Sequence, residues 1–328
     1  MSHQGDKALN MDIPDEIRKC VGFVQIEKFE SDMKTKYKET IGTAFFVEKK
    51  IGDSLSRAYV ITARHVIDGA KKKGCEKIFI RGWKNEREIE IRGKKYTVPF
   101  CFGSDIKAWS FSDDKSVDAA FLPIARAITS PKTIQTEIFA TQEDIDTGYV
   151  QLGNDIIITG LFSYHQGDEE LEPIIRVGNV AMLPRDKVRS RKFGEMDAYI
   201  IEARSIGGLS GSPVFLCQYR LWQDDSTQPD ADKLKHDERT KNMIVKWGYR
   251  FKFLGLIHGH WDEFISEDEL TLDIKNDRVN VGAAIVVPAK HILSMINSNA
   301  ERQVDEELLS TSQKNIPIKD PSPKLKPS

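Results

Sequence analysis

The sequence of 328 residues has few cysteines and almost no net charge. The four cysteines, Cys20, Cys75, Cys101 and Cys217, show no Cys-x-x-Cys spacing and no neighbouring histidine pair, so we expect no metal site built on them. Scattered cysteines without an export signal are typical of reduced thiols. The formal net charge of −2 gives no field that would favour nucleic acid or an anionic membrane as a partner.

Long apolar runs and a leader-like start are also missing. Residues 1–10 are polar and contain no apolar stretch of signal-peptide type. No apolar segment has the length that a membrane-spanning helix needs. We therefore expect a cytoplasmic protein without a membrane segment, and the sequence leaves its oligomeric state open.

Short apolar or alternating runs are abundant and separated by Gly, Asp or Lys. In the first half they cover residues 21–26, 42–47, 58–62, 77–81, 88–92, 97–100 and 119–124. In the second half they cover residues 150–152, 155–161, 174–177, 179–182, 198–202, 214–216, 251–257 and 281–287. This pattern predicts an all-β barrel or sandwich, and the lack of a βαβ rhythm disfavours a parallel sheet.

The pattern also predicts how the chain is divided. We expect an N-terminal extension over 1–19, a first β-unit over 20–147 and a second over 148–298, closed by a helix near 288–296. The segment 299–328 becomes charged and then rich in Pro, Lys and Ser, which predicts a disordered tail. A long polar segment at 223–242 predicts an exposed excursion of the second unit.

One glycine-rich loop, residues 205–215, lies between two apolar runs and places glycines on both sides of Ser210. Glycine permits a sharp turn that aims several backbone N–H groups into one small space. Acyl transfer needs a nucleophilic hydroxyl beside such donors. The alternative is an ordinary Gly/Ser turn between two strands.

A serine nucleophile needs a base, and His65 follows an apolar run at the point where we expect the strand to end. Asp118 leads a run that is otherwise apolar, so its carboxylate should be largely buried and should have a specific partner. The alternatives are a half-buried surface histidine and a loop aspartate that ends a turn.

Three motifs together carry a family resemblance. T-A-R-H-V at 62–66, V-D-A-A-F-L at 117–122 and G-G-L-S-G-S-P at 207–213 resemble the signature segments of chymotrypsin-like (trypsin-like) serine peptidases. They resemble most the bacterial HtrA-type and glutamyl-endopeptidase-type enzymes. Secondary likenesses, such as G-T-A-F-F-V and F-L-G-L-I-H-G-H, extend the resemblance over residues 21–296. The resemblance implies two six-stranded antiparallel β-barrels with a C-terminal helix.

The resemblance also implies roles. Ser210 would attack the scissile carbonyl, His65 would move the proton, and Asp118 would orient the imidazole. The backbone N–H groups of Gly208 and Ser210 would form the oxyanion hole, with no cofactor or metal. Ser212 is a rival hydroxyl, but the motif places it beyond Gly211.

The resemblance also implies which residues line the specificity pocket. By the resemblance, Arg204, Ser205 and His258 would line it, and the cations would suit an acidic side chain before the cleaved bond. The alternative is that Arg204 points outward and His258 merely packs.

The sequence therefore predicts a serine endopeptidase acting on polypeptides. The competing interpretation is a catalytically silent protease-like scaffold that binds a protein partner. Ester hydrolysis by the same groups is disfavoured, because no Gly-x-Ser-x-Gly elbow occurs and the order is His, Asp, Ser.

Overall fold

A computed structural model of the chain describes residues 13–29, 36–83, 88–91, 94–97, 101–125, 132–167, 170–190, 194–203, 208–223, 245–263 and 279–314. Strands dominate these ranges, and two large β-units follow each other along the chain. The all-β prediction is confirmed.

The first unit is an open, curled sheet. Its strands are β1 Val21–Phe29, β2 Lys36–Lys50, β3 Ser56–Thr62, β4 Lys77–Arg81, β5 Glu88–Ile91, β6 Lys94–Thr97, β7 Cys101–Asp105, β8 Ser110–Phe111, β9 Ala120–Ile124 and β10 Ile134–Gln135. The order is β7-β4-β1-β2-β3-β9-β8, with β10 added to β2 and β5–β6 forming a separate hairpin. Within the described residues this sheet does not close into the expected six-stranded barrel. The end strand β8 has two residues and offers few groups for further pairing.

The second unit is a closed barrel of antiparallel strands in the order β11-β12-β15-β18-β17-β16. The strands of this half of the chain are β11 Asp155–Gly160, β12 Ile174–Met182, β13 Val188–Ser190, β14 Gly194–Met196, β15 Tyr199–Glu202, β16 Pro213–Gln223, β17 Val245–Glu263 and β18 Val279–Pro288. The prediction of a six-stranded antiparallel barrel is confirmed for this unit. Strands β13 and β14 form a hairpin of their own.

Strand β11 is apolar at successive positions, without the alternation of apolar and polar residues that is typical of a half-buried strand. Ile157 packs in the large core that belongs mainly to the first unit, whereas Ile156 and Ile158 pack inside the closed barrel. Successive side chains of a strand point to opposite faces, and here both faces are covered. An unbroken run of isoleucines is therefore compatible with a strand at the boundary between two cores.

Aromatic rings join the two units. The ring of Phe253 on β17 lies 4.6 Å from that of Phe139, 5.2 Å from that of Phe45 and 6.0 Å from that of Phe215, centroid to centroid. Tilted and edge contacts at these distances are favourable beyond the area that they bury. The Ala140 N–H also donates to the Phe253 carbonyl oxygen at 2.8 Å, so the connecting segment is fixed to the barrel.

Five α-helices accompany the sheets in the described ranges. They are α1 Asp15–Arg18, α2 Arg64–Lys72, α3 Gln142–Asp146, α4 Ala289–Ile296 and α5 Asn299–Lys314. The predicted helix near 288–296 is confirmed as α4, which buries Ile292, Met295 and Ile296. Nothing among the described helices combines the length and the apolar character needed to traverse a lipid bilayer.

The prediction of a disordered tail from residue 299 is wrong for residues 299–314, which form α5. The helix is anchored by ion pairs rather than by a large apolar face. Asp305 is only 8% exposed and pairs with Lys49 at 2.6 Å and with Arg57 at 2.8 Å. Arg57 also pairs with Glu301 at 2.7 Å. Residues 315–328, and 224–242 of the polar excursion, lie outside the described residues.

Candidate active site

His65 lies in the first turn of α2, directly after β3. No side chain of its own segment caps this helix. The Asp118 Oδ1 atom takes that role by accepting the His65 backbone N–H at 2.8 Å. Helix N-termini have unpaired N–H groups and a partial positive charge, so an aspartate from a remote segment is stabilised there. The helix continues through Asp68 and Gly69 to Lys72.

The second oxygen of Asp118 binds the imidazole ring of His65. The His65 Nδ1–H donates to Asp118 Oδ2 at 2.6 Å, with the His65 side chain 44% exposed and that of Asp118 14% exposed. The sequence-based expectation of a largely buried carboxylate with a specific partner is therefore correct. The contact places the ring proton on Nδ1 and leaves Nε2 as the basic atom.

A second imidazole, that of His258, also contacts Asp118. Its Nδ1 donates to the same Oδ2 atom, and the ring lies 5.5 Å from that of His65 between centroids. Burial works against ionisation of Asp118, but the hydrogen bonds from His258 and His65 outweigh it and hold the pKa of Asp118 well below its ordinary value. The carboxylate therefore carries its charge throughout the neutral range.

No sequence pattern predicts the contact between His258 and Asp118. We expected it in a pocket, on the evidence of its segment alone. The register between β17 and β18 shifts between Ile257 and Gly259, which is a bulge that redirects side chains. His258 is 7% exposed, so its ring is enclosed by the protein at this point. A bulge of this kind has no dependable signature in a single sequence.

Ser210 belongs to a loop that is tied to the first unit through Thr43 of β2. The Thr43 N–H donates to the Ser210 carbonyl oxygen at 3.0 Å, and the Thr43 hydroxyl donates to the Gly208 carbonyl oxygen at 3.1 Å. The same hydroxyl accepts the Leu161 N–H at 2.9 Å. The fully buried Thr43 therefore fixes the loop on two sides.

The hydroxyl of Ser210 lies beside β17. Its Oγ donates to the His258 carbonyl oxygen over a long 3.5 Å, and among the described residues no hydrogen bond joins it to the His65 ring. The structure thus brings His65 and Asp118 into direct contact, and it places Ser210 against the same segment that supplies His258.

Glycine is required at position 211. Gly211 has φ +84°, and a Cβ atom built there would lie 2.2 Å from the Thr43 carbonyl oxygen. The backbone of the loop therefore packs directly onto β2. Gly208 also has positive φ, +103°, and a Cβ atom there would meet the Ser163 hydroxyl at 2.6 Å.

The backbone donors of the loop fall into two groups. Gly211 N–H donates to the Ile257 carbonyl oxygen and Ser212 N–H to that of Leu209, each at 2.8 Å. The N–H groups of Gly208 and Ser210 have no acceptor within the described ranges. Two unengaged donors on either side of one residue are what a developing oxyanion requires.

The other predicted positions differ in accessibility. Ser212 is fully buried, and a Cβ atom built on Gly160 would lie 1.9 Å from its Oγ, so no substrate carbonyl reaches this hydroxyl. Arg204 and Ser205 lie outside the described residues.

His65, Asp118 and His258 also form a set of nitrogen and oxygen donors whose ligand atoms lie within 4.8 Å of one another. Such donors suit a divalent metal ion. In this structure, however, both Nδ1 atoms are in hydrogen-bond contact with one carboxylate oxygen. Those contacts account for the cluster without an ion.

Searches of protein-family models and of curated proteins match nothing. Structural neighbours include Deg5, at 16% identity and TM-score 0.37 over 61% of this chain and 75% of that one. An inactive form of Rv3671c from M. tuberculosis H37Rv, a serine-to-alanine mutant, has 13% identity and TM-score 0.39 over 86% and 87%. The apo MamO protease domain from Magnetospirillum magneticum has 12% identity and TM-score 0.41 over 85% and 96%.

Proposed function

We propose that the protein is a serine endopeptidase that cleaves polypeptides through an acyl-enzyme. The Ser210 Oγ forms a bond to the scissile carbonyl carbon while its proton passes to His65 Nε2. Collapse of the tetrahedral intermediate breaks the C–N bond, and the leaving amine takes that proton. Water then repeats the sequence on the ester and releases the acid.

The observation that carries this proposal is the double contact between Asp118 and His65. One carboxylate oxygen accepts the backbone N–H of His65 and the other accepts its ring N–H. Together they fix where the imidazole lies and which nitrogen is free to take a proton. When the ring becomes cationic, the ionised Asp118 stabilises it.

The loop contributes the second requirement. The unengaged N–H groups of Gly208 and Ser210 support an oxyanion hole, which is the interaction that usually contributes most to acyl transfer. The mechanism requires the Ser210 Oγ to exchange its long contact with the His258 carbonyl oxygen for a hydrogen bond to His65. Such catalytic contacts are often loose before substrate binds.

The substrate side chain before the cleaved bond is a finer part of the proposal. Arg204 and Ser205 remain the proposed pocket residues, and the charge of Arg204 would favour an acidic side chain. His258, the third residue that the resemblance implies there, is enclosed and contacts Asp118. A peptide library tests it, and cleavage without enrichment of Glu or Asp before the cut would refute this preference alone.

Covalent labelling tests the central proposal. A fluorophosphonate probe should label the wild type and Ser212→Ala but not Ser210→Ala, because the Ser212 hydroxyl is buried. Wild-type protein that has not been treated with the probe should also degrade casein, and labelling should abolish that activity. Absence of labelling would favour the silent scaffold, labelling without casein turnover would favour an esterase, and labelling lost only in Ser212→Ala would move the nucleophile.

A further inference from the structure

We infer that His258 is a positioning residue that holds Asp118, and through it His65, in the orientation required for base catalysis. The inference rests on the proposed function, because it assigns a role within the same site. It also gives His258 a role different from lining a specificity pocket.

The hydrogen-bond pattern around Asp118 is the first support. An ionised carboxylate has only acceptor atoms, so each imidazole nitrogen that contacts it must carry a hydrogen. Oδ1 accepts the His65 backbone N–H, and Oδ2 is shared between the two rings. The His65 ring has to change its protonation state in each turnover. The His258 N–H and the His65 backbone N–H are the two donors to Asp118 that do not.

The second support is the place of His258 in the fold. It comes from β17 of the closed barrel, whereas His65 and Asp118 come from the first unit. The backbone oxygen of the same residue accepts the Ser210 hydroxyl at 3.5 Å. One buried residue therefore contacts both the carboxylate and the nucleophile, and it sets the spacing between the groups that the two units contribute.

The charged and titratable neighbours of Asp118 within the described ranges can be named. The groups that act on Asp118 are His258 on β17 and His65 on α2. The neighbouring Arg64 is paired with Asp68 at 3.3 Å. Removing the His258 N–H would leave the negative charge of Asp118 less compensated, and that charge would then stabilise the cationic form of His65 more strongly.

Two substitutions distinguish the hydrogen-bond donor of His258 from the volume of its side chain. His258→Asn keeps an N–H close to the position of Nδ1, and His258→Leu fills the space without a donor. We expect His258→Leu to lower kcat by ~10- to 100-fold with KM nearly unchanged, because one hydrogen bond to a charged group is lost. The acid limb of its pH profile should move to higher pH. His258→Asn should keep kcat within about threefold of wild type and leave the acid limb in place, since the bond to the charged group is retained.

A readout independent of activity completes the test. ¹⁵N NMR of the histidine side chains in the wild-type protein should show His258 protonated at Nδ1 and the same proton shielded from exchange. A His258 that carries its hydrogen on Nε2 alone would overturn the inference, even if the variants failed to fold. This measurement also stands if Ser210 proves unreactive, so failure of the inference and failure of the proposed function remain distinguishable.

Three kinetic results would also overturn the inference. His258→Leu could retain the wild-type kcat and acid limb, which would show that the donor is dispensable. His258→Asn could lose as much kcat as His258→Leu, which would assign the effect to the shape of the ring. Either variant could change KM and the preferred residue before the cut at constant kcat, which would make His258 a pocket residue.

Discussion

The two β-units position the proposed catalytic residues by different means. In the first unit, His65 and Asp118 are held to each other by side-chain hydrogen bonds, and the sheet that carries them is open in the described residues. In the closed barrel, Ser210 is held by backbone conformation and by contacts of its own carbonyl group. The proposed proton-transfer pair thus depends on side-chain hydrogen bonds, whereas the proposed nucleophile depends on the backbone geometry of its loop.

This difference predicts which substitutions are harmful in each unit. In the first unit, changes of charge or of a hydrogen-bonding group should matter most. In the second unit, replacement of a glycine of the Ser210 loop by alanine, which adds one methyl group, should be enough to reduce activity. The predictions below test this contrast, beginning with the largest effect.

Asp118→Asn should reduce kcat by ~10⁴-fold while the fold is retained. The amide cannot accept from both the backbone and the ring of His65 and still stabilise the imidazolium. The rate of casein cleavage and the circular dichroism spectrum measure this. An activity within tenfold of wild type would remove Asp118 from the proposed mechanism.

Gly211→Ala should lower activity by ~10²-fold, because a Cβ atom there displaces the loop from Thr43 and misplaces the hydroxyl. The matched control is Gly153→Ala. Gly153 also has positive φ, +77°, but no atom lies within 4 Å of its added Cβ. The control should lose about 1 kcal/mol or slightly more of stability through backbone strain and no activity. Equal losses of activity in both variants would show that strain, rather than the contact with β2, is responsible.

Asp305→Ala should destabilise the protein by about 3 kcal/mol, because Lys49 and Arg57 would be left partly buried without their carboxylate. Activity of the folded variant should be unchanged. Glu195→Ala is the control, since its ion pair with Arg189 is exposed and such pairs contribute ~0–1 kcal/mol. Urea unfolding measures both, and similar midpoints would mean that α5 is not anchored by this pair.

Acid titration should separate Asp118 from an ordinary carboxylate. Because its pKa is lower in the folded protein than in the unfolded chain, Asp118 adds stability above the unfolded value near ~4 and loses it as pH falls towards the folded value. The gap in unfolding free energy between wild type and Asp118→Asn should therefore narrow from pH 5 downwards. A gap in unfolding free energy that stays constant with pH would show that the pKa of Asp118 is not lowered in the folded protein.

The strands that sequence patterns locate best are those with a continuous apolar or alternating run. Residues 77–81 were expected as a strand and form β4 with those bounds, and the run 155–161 contains β11. Residues 150–152 are also predicted as a strand, but this segment contains a turn. Three residues are too few to establish the alternation of apolar and polar side chains that identifies a strand. Of the expected strand 97–100, Thr97 is the last residue of β6, and residues 98–100 lie outside the described residues.

Helix α5 shows a different kind of limit. Its sequence is charged and has no strong apolar face, so local composition predicted disorder. Its partners Lys49 and Arg57 lie about 250 residues earlier in the chain, opposite each other on the paired strands β2 and β3. The local sequence of α5 does not reveal these two cationic partners, because a long-range ion pair leaves no repeating pattern of residues in either segment.

The sequence alone determined the all-β character, the terminal helix α4 and the three candidate groups, because apolar periodicity and the glycine-rich loop are local properties of the chain. Tertiary structure alone decided that Asp118 caps the helix of His65, that His258 shares its carboxylate, that the first sheet stays open in the described residues and that 299–314 folds. Each of these depends on groups far apart in sequence meeting at hydrogen-bond distance, and that distance exists only once the strands have paired.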